Sequence, residues 1–109
     1  MIKNALFFLC FAVVINLQAQ QRYQSEIFSS IDSVTNIEYG QALNIRGNQE
    51  KLLLDMYMPS AQIDSIKKRP VLLFIHGGGF QNNSKTGGFS NMLCLSFAKR
   101  GYVTVSIDY

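Results

Sequence analysis

Apolar residues follow several distinct patterns along the chain, and each pattern predicts a different kind of element. Residues 5–17 are almost uninterruptedly apolar, with Asn16 as the one polar position. Between residues 51 and 58 apolar residues recur at every second position, which is the spacing of a half-buried strand. Residues 71–75 form a continuous β-prone apolar run, which is typical of a strand covered on both faces. The chain is therefore predicted to start with an apolar segment and to continue as a folded unit that contains strands.

The N-terminal apolar segment has the layout of a secretory signal peptide. Lys3 supplies a positive charge before the run, and Ala19 offers a small residue at a cleavage point. The run is shorter than the roughly 20 residues needed to span a bilayer. We therefore expect residues 1–19 to be a signal peptide and the protein to be exported, either to a periplasm or to the outside of the cell. An uncleaved anchor or a buried helix is the alternative.

The segment that follows is predicted to be a leader and then a β-hairpin. Residues 20–33 are polar with scattered apolar positions, and we expect a mobile leader or a short helix there. Residues 34–44 carry a weak strand signal, residues 46–50 are typical of a turn, and residues 51–58 form a better strand. The apolar positions that share one face of this second strand are Leu52, Leu54, Met56 and Met58.

Residues from 71 onward are predicted to form a βαβ unit. The strand at 71–75 is followed by a glycine-rich loop, a helix and a second apolar strand at 102–107. Ser90 is a candidate N-cap for that helix, and Gly101 is well placed just beyond its C-terminus. The predicted apolar stripe of the helix consists of Met92, Leu93, Leu95, Phe97 and Ala98. Because the last strand runs to the final residue, we expect the folded unit, residues 34–109, to be truncated.

Composition and charge exclude several classes of function. The net charge of +3 falls to +2 once Lys3 is removed with the signal peptide. The only basic cluster, Lys67–Lys68–Arg69, has no interleaved aromatic residues, so we interpret it as a solvated linker and expect no nucleic-acid partner. Cys94 is the only cysteine after residue 19, so no intrachain disulfide is expected there. One histidine and one such cysteine cannot build a metal site, and no cofactor is expected.

The stretch that carries chemistry is the loop after the strand at 71–75. Its sequence is His76–Gly77–Gly78–Gly79–Phe80. Glycines permit unusual backbone angles and close approach of the backbone to a ligand. Successive peptide N–H groups can then converge on one point, which is what the tetrahedral oxyanion of ester hydrolysis requires. The simpler interpretation is a glycine-rich turn that only lets strand and helix pack closely.

With its flanking strands, this loop resembles the HGGG signature of α/β-hydrolase esterases of the hormone-sensitive-lipase-like or carboxylesterase-like type. The resemblance implies the N-terminal part of an α/β-hydrolase fold, with a mixed, mostly parallel sheet and flanking helices. It implies that Gly78 and Gly79 supply oxyanion-hole N–H groups and that Gly77 allows the turn. His76 would hold the loop in shape and would not be the catalytic base. The nucleophile, acid and base of the family lie C-terminal to this region, so the chain alone is expected to be inactive.

Other interpretations of the same residues remain open. Residues 79–86 match a phosphate-binding P-loop except that Ser84 replaces its second glycine. A non-catalytic hydrolase-like binding module would keep the glycine loop without a triad. Asp55 and Asp108 are expected to be isolated carboxylates with no role in acid–base chemistry. For an esterase, a small-molecule or carbohydrate-linked ester is the expected substrate.

Overall fold

A computed structural model describes residues 21–109 as a four-stranded sheet with one helix on a face of it. The elements are β1 (Ile31–Leu43), β2 (Gln49–Pro59), β3 (Val71–Ile75), α1 (Ser90–Lys99) and β4 (Val103–Ile107). The predicted signal peptide, residues 1–19, lies outside the described residues.

The sheet has the strand order β1-β2-β4-β3. β1 pairs with β2 and β2 with β4 in antiparallel fashion, whereas β3 and β4 are parallel and are connected through α1. The structure therefore confirms the predicted hairpin, the predicted βαβ unit and an α/β architecture with a mixed sheet. Within residues 21–109 one pairing is parallel and two are antiparallel.

Residues 44–48 form the turn of the hairpin and explain its tight geometry. The side-chain oxygen of Asn44 accepts hydrogen bonds from the backbone N–H groups of Arg46 and Asn48, at 2.9 and 3.0 Å. Gly47 has a φ of +79°, a conformation that glycine adopts at little cost. An asparagine that mimics a backbone acceptor and a left-handed glycine together fix where the chain reverses.

The face of β2 that packs under α1 carries Asp55 and Tyr57, while the apolar positions predicted from period two lie on the other face. The Tyr57 hydroxyl donates to Oδ1 of Asn91 at 2.9 Å, and the Thr104 hydroxyl on β4 donates to the carbonyl oxygen of Cys94 at 2.9 Å. These bonds satisfy polar groups that would otherwise be costly to bury. The layer between helix and sheet is therefore built as much from polar contacts as from apolar ones.

The buried side of α1 differs from the predicted stripe. Its buried residues are Ser90, Cys94 and Ala98, spaced four apart, and their small size lets the helix approach the sheet closely. Three members of the predicted stripe are exposed instead, namely Met92, Leu93 and Leu95. The prediction that Ser90 is the N-cap is also wrong. Ser90 is the first helical residue, and the N-cap is Phe89, which makes no side-chain capping bond.

The C-terminus of α1 ends as the sequence predicts, at Gly101. With a φ of +105°, Gly101 donates its N–H to the carbonyl of Ala98 at 2.9 Å. The N–H of Tyr102 reaches back to the carbonyl of Phe97 at 3.3 Å. This pair of bonds is a Schellman motif, which satisfies carbonyls at the helix end.

The segment before β1 is held against the C-terminus of α1, which differs from the predicted mobile leader or short helix. The N–H of Tyr23 donates to the carbonyl of Arg100 at 2.8 Å, and those of Ile27 and Phe28 both donate to the carbonyl of Lys99 at 3.0 Å. Carbonyls at the end of a helix lack intrahelical partners, so an adjacent chain segment can bind them. β1 then begins at Ile31, three residues before the predicted strand.

Asp64, in the connection between β2 and β3, ties this N-terminal segment to the rest of the fold. Arg22 donates two hydrogen bonds to its carboxylate, at 3.1 and 2.8 Å, and Arg69 donates a third at 2.8 Å. The Arg22 guanidinium is the main reason why the pKa of Asp64 is lowered to about 2. The prediction that residues 67–69 form a solvated linker is therefore confirmed for Lys67 and Lys68, which are exposed. It is wrong for Arg69, which is paired with Asp64.

We expect Asp64→Asn to lower the free energy of unfolding at pH 7 by ~2 kcal/mol or more, because the substitution removes a carboxylate whose pKa is lowered by folding. That stabilisation is fully present above the ordinary pKa of 3.8 and is lost as the pH falls through about 2. Urea titrations at several pH values measure it. Glu38→Gln, which breaks an exposed ion pair with Lys51, is the control and should leave stability almost unchanged, because solvent screens exposed charges. Equal losses in both variants would contradict the assignment.

Candidate functional site

The glycine loop lies at the carboxyl end of β3. β4 runs parallel to β3, so both strands end at the same edge of the sheet, and the residues after β4 come next to the loop. Crevices at the carboxyl ends of parallel strands are where α/β folds bind their ligands. The sheet thus brings residues 76–80 together with Asp108 and Tyr109, which are about thirty positions away in sequence.

The backbone of the loop is bent in a way that requires glycine. Gly78 has a φ of +142° and Gly79 a φ of +62°. A Cβ atom on Gly78 would lie 1.8 Å from the carbonyl oxygen of Asn82. The carbonyl of Gly78 accepts hydrogen bonds from the N–H groups of Gln81 and Asn82, at 3.2 and 3.1 Å.

The N–H groups of Gly78 and Gly79 make no hydrogen bond to any residue between 21 and 109. Both glycines are exposed. Two adjacent N–H donors without a partner, held in a bent backbone, can bind an anionic oxygen. Within residues 21–109 these two N–H groups are therefore available to a ligand.

His76 and Tyr109 support the beginning of the loop. The His76 ring stacks on that of Tyr109, with ring centroids 4.6 Å apart, and its Nδ1 lies 3.0 Å from the carbonyl oxygen of Gly77. The Tyr109 hydroxyl donates to the carbonyl oxygen of His76 at 2.6 Å. Phe80 completes the group with an edge-on contact to Tyr109 at 5.5 Å. No sequence pattern pointed to Tyr109, because its position beside the loop depends on the pairing of β3 with β4.

Lys85 attaches the far side of the loop to the sheet, and sequence reasoning missed this. Its ammonium group lies 2.8 and 2.9 Å from the two carboxylate oxygens of Asp55, and its backbone N–H donates to Asp108 at 2.7 Å. The prediction of an isolated carboxylate is therefore wrong for Asp55, which pairs with the Lys85 ammonium group, whereas Asp108 makes a structural contact with the loop backbone. The P-loop alternative needs this ammonium group for phosphate, and its burial against Asp55 argues against that alternative.

Asp55 has a second partner in β1. The backbone N–H of Asn36 donates to Oδ1 of Asp55 at 2.8 Å. Asn36 has a φ of +59° and lies where the register of β1 shifts between Val34 and Ile37. A β-bulge turns an N–H out of the ladder, and here that N–H points at a buried carboxylate.

A cleft of about 800 Å³ lies between the glycine loop and the turn of the hairpin. Phe80, of which 83% is exposed, and Tyr109 give it an aromatic side. The other lining side chains include amides, such as Asn48, Gln49 and Asn82, and apolar residues of the hairpin. The cleft thus borders the loop at His76 and Phe80 and has polar, apolar and aromatic contacts to offer a ligand.

The remaining reactive groups do not form a catalytic set in the part of the chain that is described. Burial raises the pKa of the Cys94 thiol above its ordinary 9.0, so the thiol stays protonated at neutral pH. Burial also raises the pKa of Tyr39, whose hydroxyl donates to the carbonyl oxygen of Asp108. Residues 21–109 contain no group of three His, Cys, Asp or Glu side chains that could hold a metal ion.

The architecture and the glycine loop define an esterase-like α/β-hydrolase, and comparison with known families agrees. The family model described as BD-FAE matches residues 54–109, which is half of the chain. The chain belongs to the BD-FAE family. The resemblance drawn from the HGGG segment is thereby confirmed at the level of the family.

Individual relatives match about half of the chain. Tuliposide A-converting enzyme 2, chloroplastic, from Tulipa gesneriana is 42% identical over 55 residues, which are 50% of this chain and 14% of that enzyme. The non-reducing polyketide synthase nvfA from Aspergillus novofumigatus is 39% identical over 59 residues, or 54% of this chain and 3% of the synthase. The chain therefore spans a small part of the length of these relatives.

A solved structure shows a partial likeness. Brefeldin A esterase, described as a bacterial homologue of human hormone-sensitive lipase, superimposes with a TM-score of 0.48 at 20% identity. The match covers 80% of this chain and 20% of the esterase.

Between residues 21 and 109 no helix has the length and apolar character needed to cross a bilayer.

We expect Gly78→Ala to destabilise the fold by more than ~2 kcal/mol, because the added methyl group would collide with the Asn82 carbonyl. Gly77→Ala is the matched control. Gly77 has open space at its Cβ position and no left-handed backbone, so its substitution should change stability by less than ~1 kcal/mol. Thermal unfolding of the two variants measures the difference. Two variants of equal stability would mean that the loop does not hold the described turn.

Proposed function

We propose that the intact protein hydrolyses carboxylic esters and that the N–H groups of Gly78 and Gly79 stabilise the oxyanion of the reaction. The observation that carries the proposal is the pair of adjacent N–H groups at the carboxyl end of β3 that have no partner among residues 21–109. Attack on an ester carbonyl places a negative charge on its oxygen. Removal of one preorganised donor to such an oxygen typically costs about 10²–10³ in rate.

The other loop residues have supporting roles in this proposal. Gly77, which does not need to be glycine for its backbone conformation, places its carbonyl oxygen beside Nδ1 of His76, and His76 holds the loop in shape through its ring and its carbonyl group. His76 is the only histidine of the chain, and the contact of its Nδ1 with Gly77 leaves it as a structural residue. The nucleophilic serine, the acid and the histidine base would then come from residues outside these 109.

The reaction would follow the serine-hydrolase course. A serine oxygen forms a bond to the carbonyl carbon, and the bond to the alcohol oxygen breaks as the alcohol leaves with a proton from the histidine. Water then attacks the acyl-enzyme and releases the acid. Both steps pass through an oxyanion that Gly78 and Gly79 would bind, and neither step needs a cofactor.

The substrate in this proposal is a small-molecule or carbohydrate-linked ester, and it would occupy the cleft beside the loop. Tuliposide A-converting enzymes, which match half of the chain, are consistent with a small-molecule substrate. We further propose that residues 1–19 direct the protein to a periplasm or to the outside of the cell. The plastid location in the names of the tulip enzymes belongs to those proteins.

The role of the N–H donors is tested with two matched glycine variants of the intact protein. Gly79 and Gly88 have φ values of +62° and +59°, and both have open space at the Cβ position. Alanine should therefore cost similar stability at both positions, about 1 kcal/mol. We expect kcat for a p-nitrophenyl ester to fall by about 10²-fold in Gly79→Ala, because alanine is strained at positive φ and relieves this by a backbone rotation that turns the N–H of residue 79 away from the oxyanion. In Gly88→Ala kcat should fall less than about threefold. Equal kcat values would exclude this loop as the oxyanion hole.

The chain of 109 residues alone is expected to show no burst of acyl-enzyme with an activated ester. The proposal places the nucleophile and the base outside these residues, so the donors would have no partner in the reaction. A fluorophosphonate probe, which labels activated serines, should mark the intact protein and leave this chain unmarked. Labelling of the chain itself would mean that it contains the nucleophile.

A further inference from the structure

We propose that Lys85 is a positioning residue, whose buried ion pair with Asp55 holds the glycine loop in the conformation that aligns the N–H groups of Gly78 and Gly79. This inference rests on the proposed function, because it assigns a cause to the geometry of the same site. Lys85 would act through the loop and would not touch the substrate.

Each polar group of Lys85 has its own partner in the sheet or just beyond it. The ammonium group is paired with Asp55 of β2 at 2.8 Å. The carbonyl oxygen accepts a hydrogen bond from the hydroxyl of Ser106 in β4 at 2.7 Å, and the N–H donates to Asp108 at 2.7 Å. Of the residues 76–89, Lys85 is the one that is buried. One residue of an otherwise exposed loop is therefore fixed at three points.

The chain between Lys85 and the donors is a series of tight turns that can transmit this position. The carbonyl of Gly78 accepts bonds from residues 81 and 82, and the side chain of Asn83 accepts the N–H of Ser84 at 2.9 Å. Asn83 itself has a φ of +82°. These turns connect the position of Lys85 to that of Gly78 through six residues.

The ion pair also cannot be replaced by another described partner of Asp55. The only other hydrogen bond to this carboxylate within residues 21–109 comes from the N–H of Asn36. Asp55 is 2% exposed, so without Lys85 its charge would be left almost without solvent. Because Asp55 is buried, its carboxylate stabilises loop conformations in which the Lys85 ammonium group reaches it.

The test compares Lys85→Met with Lys67→Met, a substitution of an exposed lysine, in the intact protein. We expect kcat for a p-nitrophenyl ester to fall about 10²-fold in Lys85→Met with KM changed less than about twofold, since the donors serve the transition state. Lys67→Met should match the wild type in both constants. The kcat values are corrected for the folded fraction, which lowers apparent kcat and leaves KM unchanged. A corrected kcat equal to that of the wild type would assign Lys85 a purely structural role and overturn the inference.

A second pair of variants covers the case in which Lys85→Met does not fold. Ser106→Ala removes the bond to the Lys85 carbonyl, whereas Thr104→Val removes a similar buried hydroxyl bond to the carbonyl of Cys94 in α1. We expect about a tenfold loss of kcat in Ser106→Ala and less than a twofold loss in Thr104→Val. Equal effects on kcat would overturn the inference, because only the first bond reaches the loop.

Amide resonances separate this inference from the proposed function. In ¹H–¹⁵N spectra the signals of Gly78 and Gly79 should shift or broaden in Ser106→Ala and stay in place in Thr104→Val. If the glycine signals respond in this way but the wild type does not hydrolyse esters, the anchoring of the loop by Lys85 is supported and the proposed esterase function is rejected. Unchanged glycine signals in a wild type that does hydrolyse esters would reject the positioning role alone.

Discussion

The carboxylate of Asp55 is a negative charge placed under a helix, almost out of contact with water. A charge in that position is tolerated only when hydrogen bonds and an opposite charge surround it. Its partners come from two separate parts of the chain, the bulge of β1 at Asn36 and the loop after β3 at Lys85. The Asp55 carboxylate on β2 therefore binds both the edge strand β1 and the glycine loop, and it holds these three parts of the fold together.

The parallel pairing of β3 with β4 supplies the second half of this arrangement. It delivers Ser106, Asp108 and Tyr109 to the edge where the loop begins and ends. Tyr109 holds the His76 end of the loop, and Ser106 and Asp108 hold the Lys85 end. Between these two attachments Gly78 and Gly79 are exposed at positive φ, and Phe80 and Asn83 also have positive φ, which is costly for residues with a side chain. Such strain persists when the structure on both sides determines it, which is a common property of binding sites.

Local patterns in the sequence were sufficient to predict the hairpin, the βαβ unit, the end of α1 at Gly101 and the position of the glycine loop after β3. Each of these depends on residues close together in sequence, such as a glycine with a left-handed backbone. The wrong predictions concern long-range contacts. The buried side of α1 uses Ser90, Cys94 and Ala98 because small residues allow close approach to the sheet, and a hydrophobic pattern selects larger ones. The partners of Asp55 and Arg69 could not be predicted, because ion pairs between distant segments leave no periodic signal.

The attachments of the glycine loop also bear on the order in which the chain folds. Lys85 joins residues 30 positions before it and 21 and 23 positions after it, so its contacts close long segments of chain. The β1–β2 hairpin and the first turns of α1 need only local contacts and can form early. The loop acquires its shape only when β4 has paired with β3, which is after the last strand of this chain has been synthesised. Ligand-binding geometry is thus a late product of folding here, and a nascent chain that has emerged only as far as α1 would carry the glycine motif without the site.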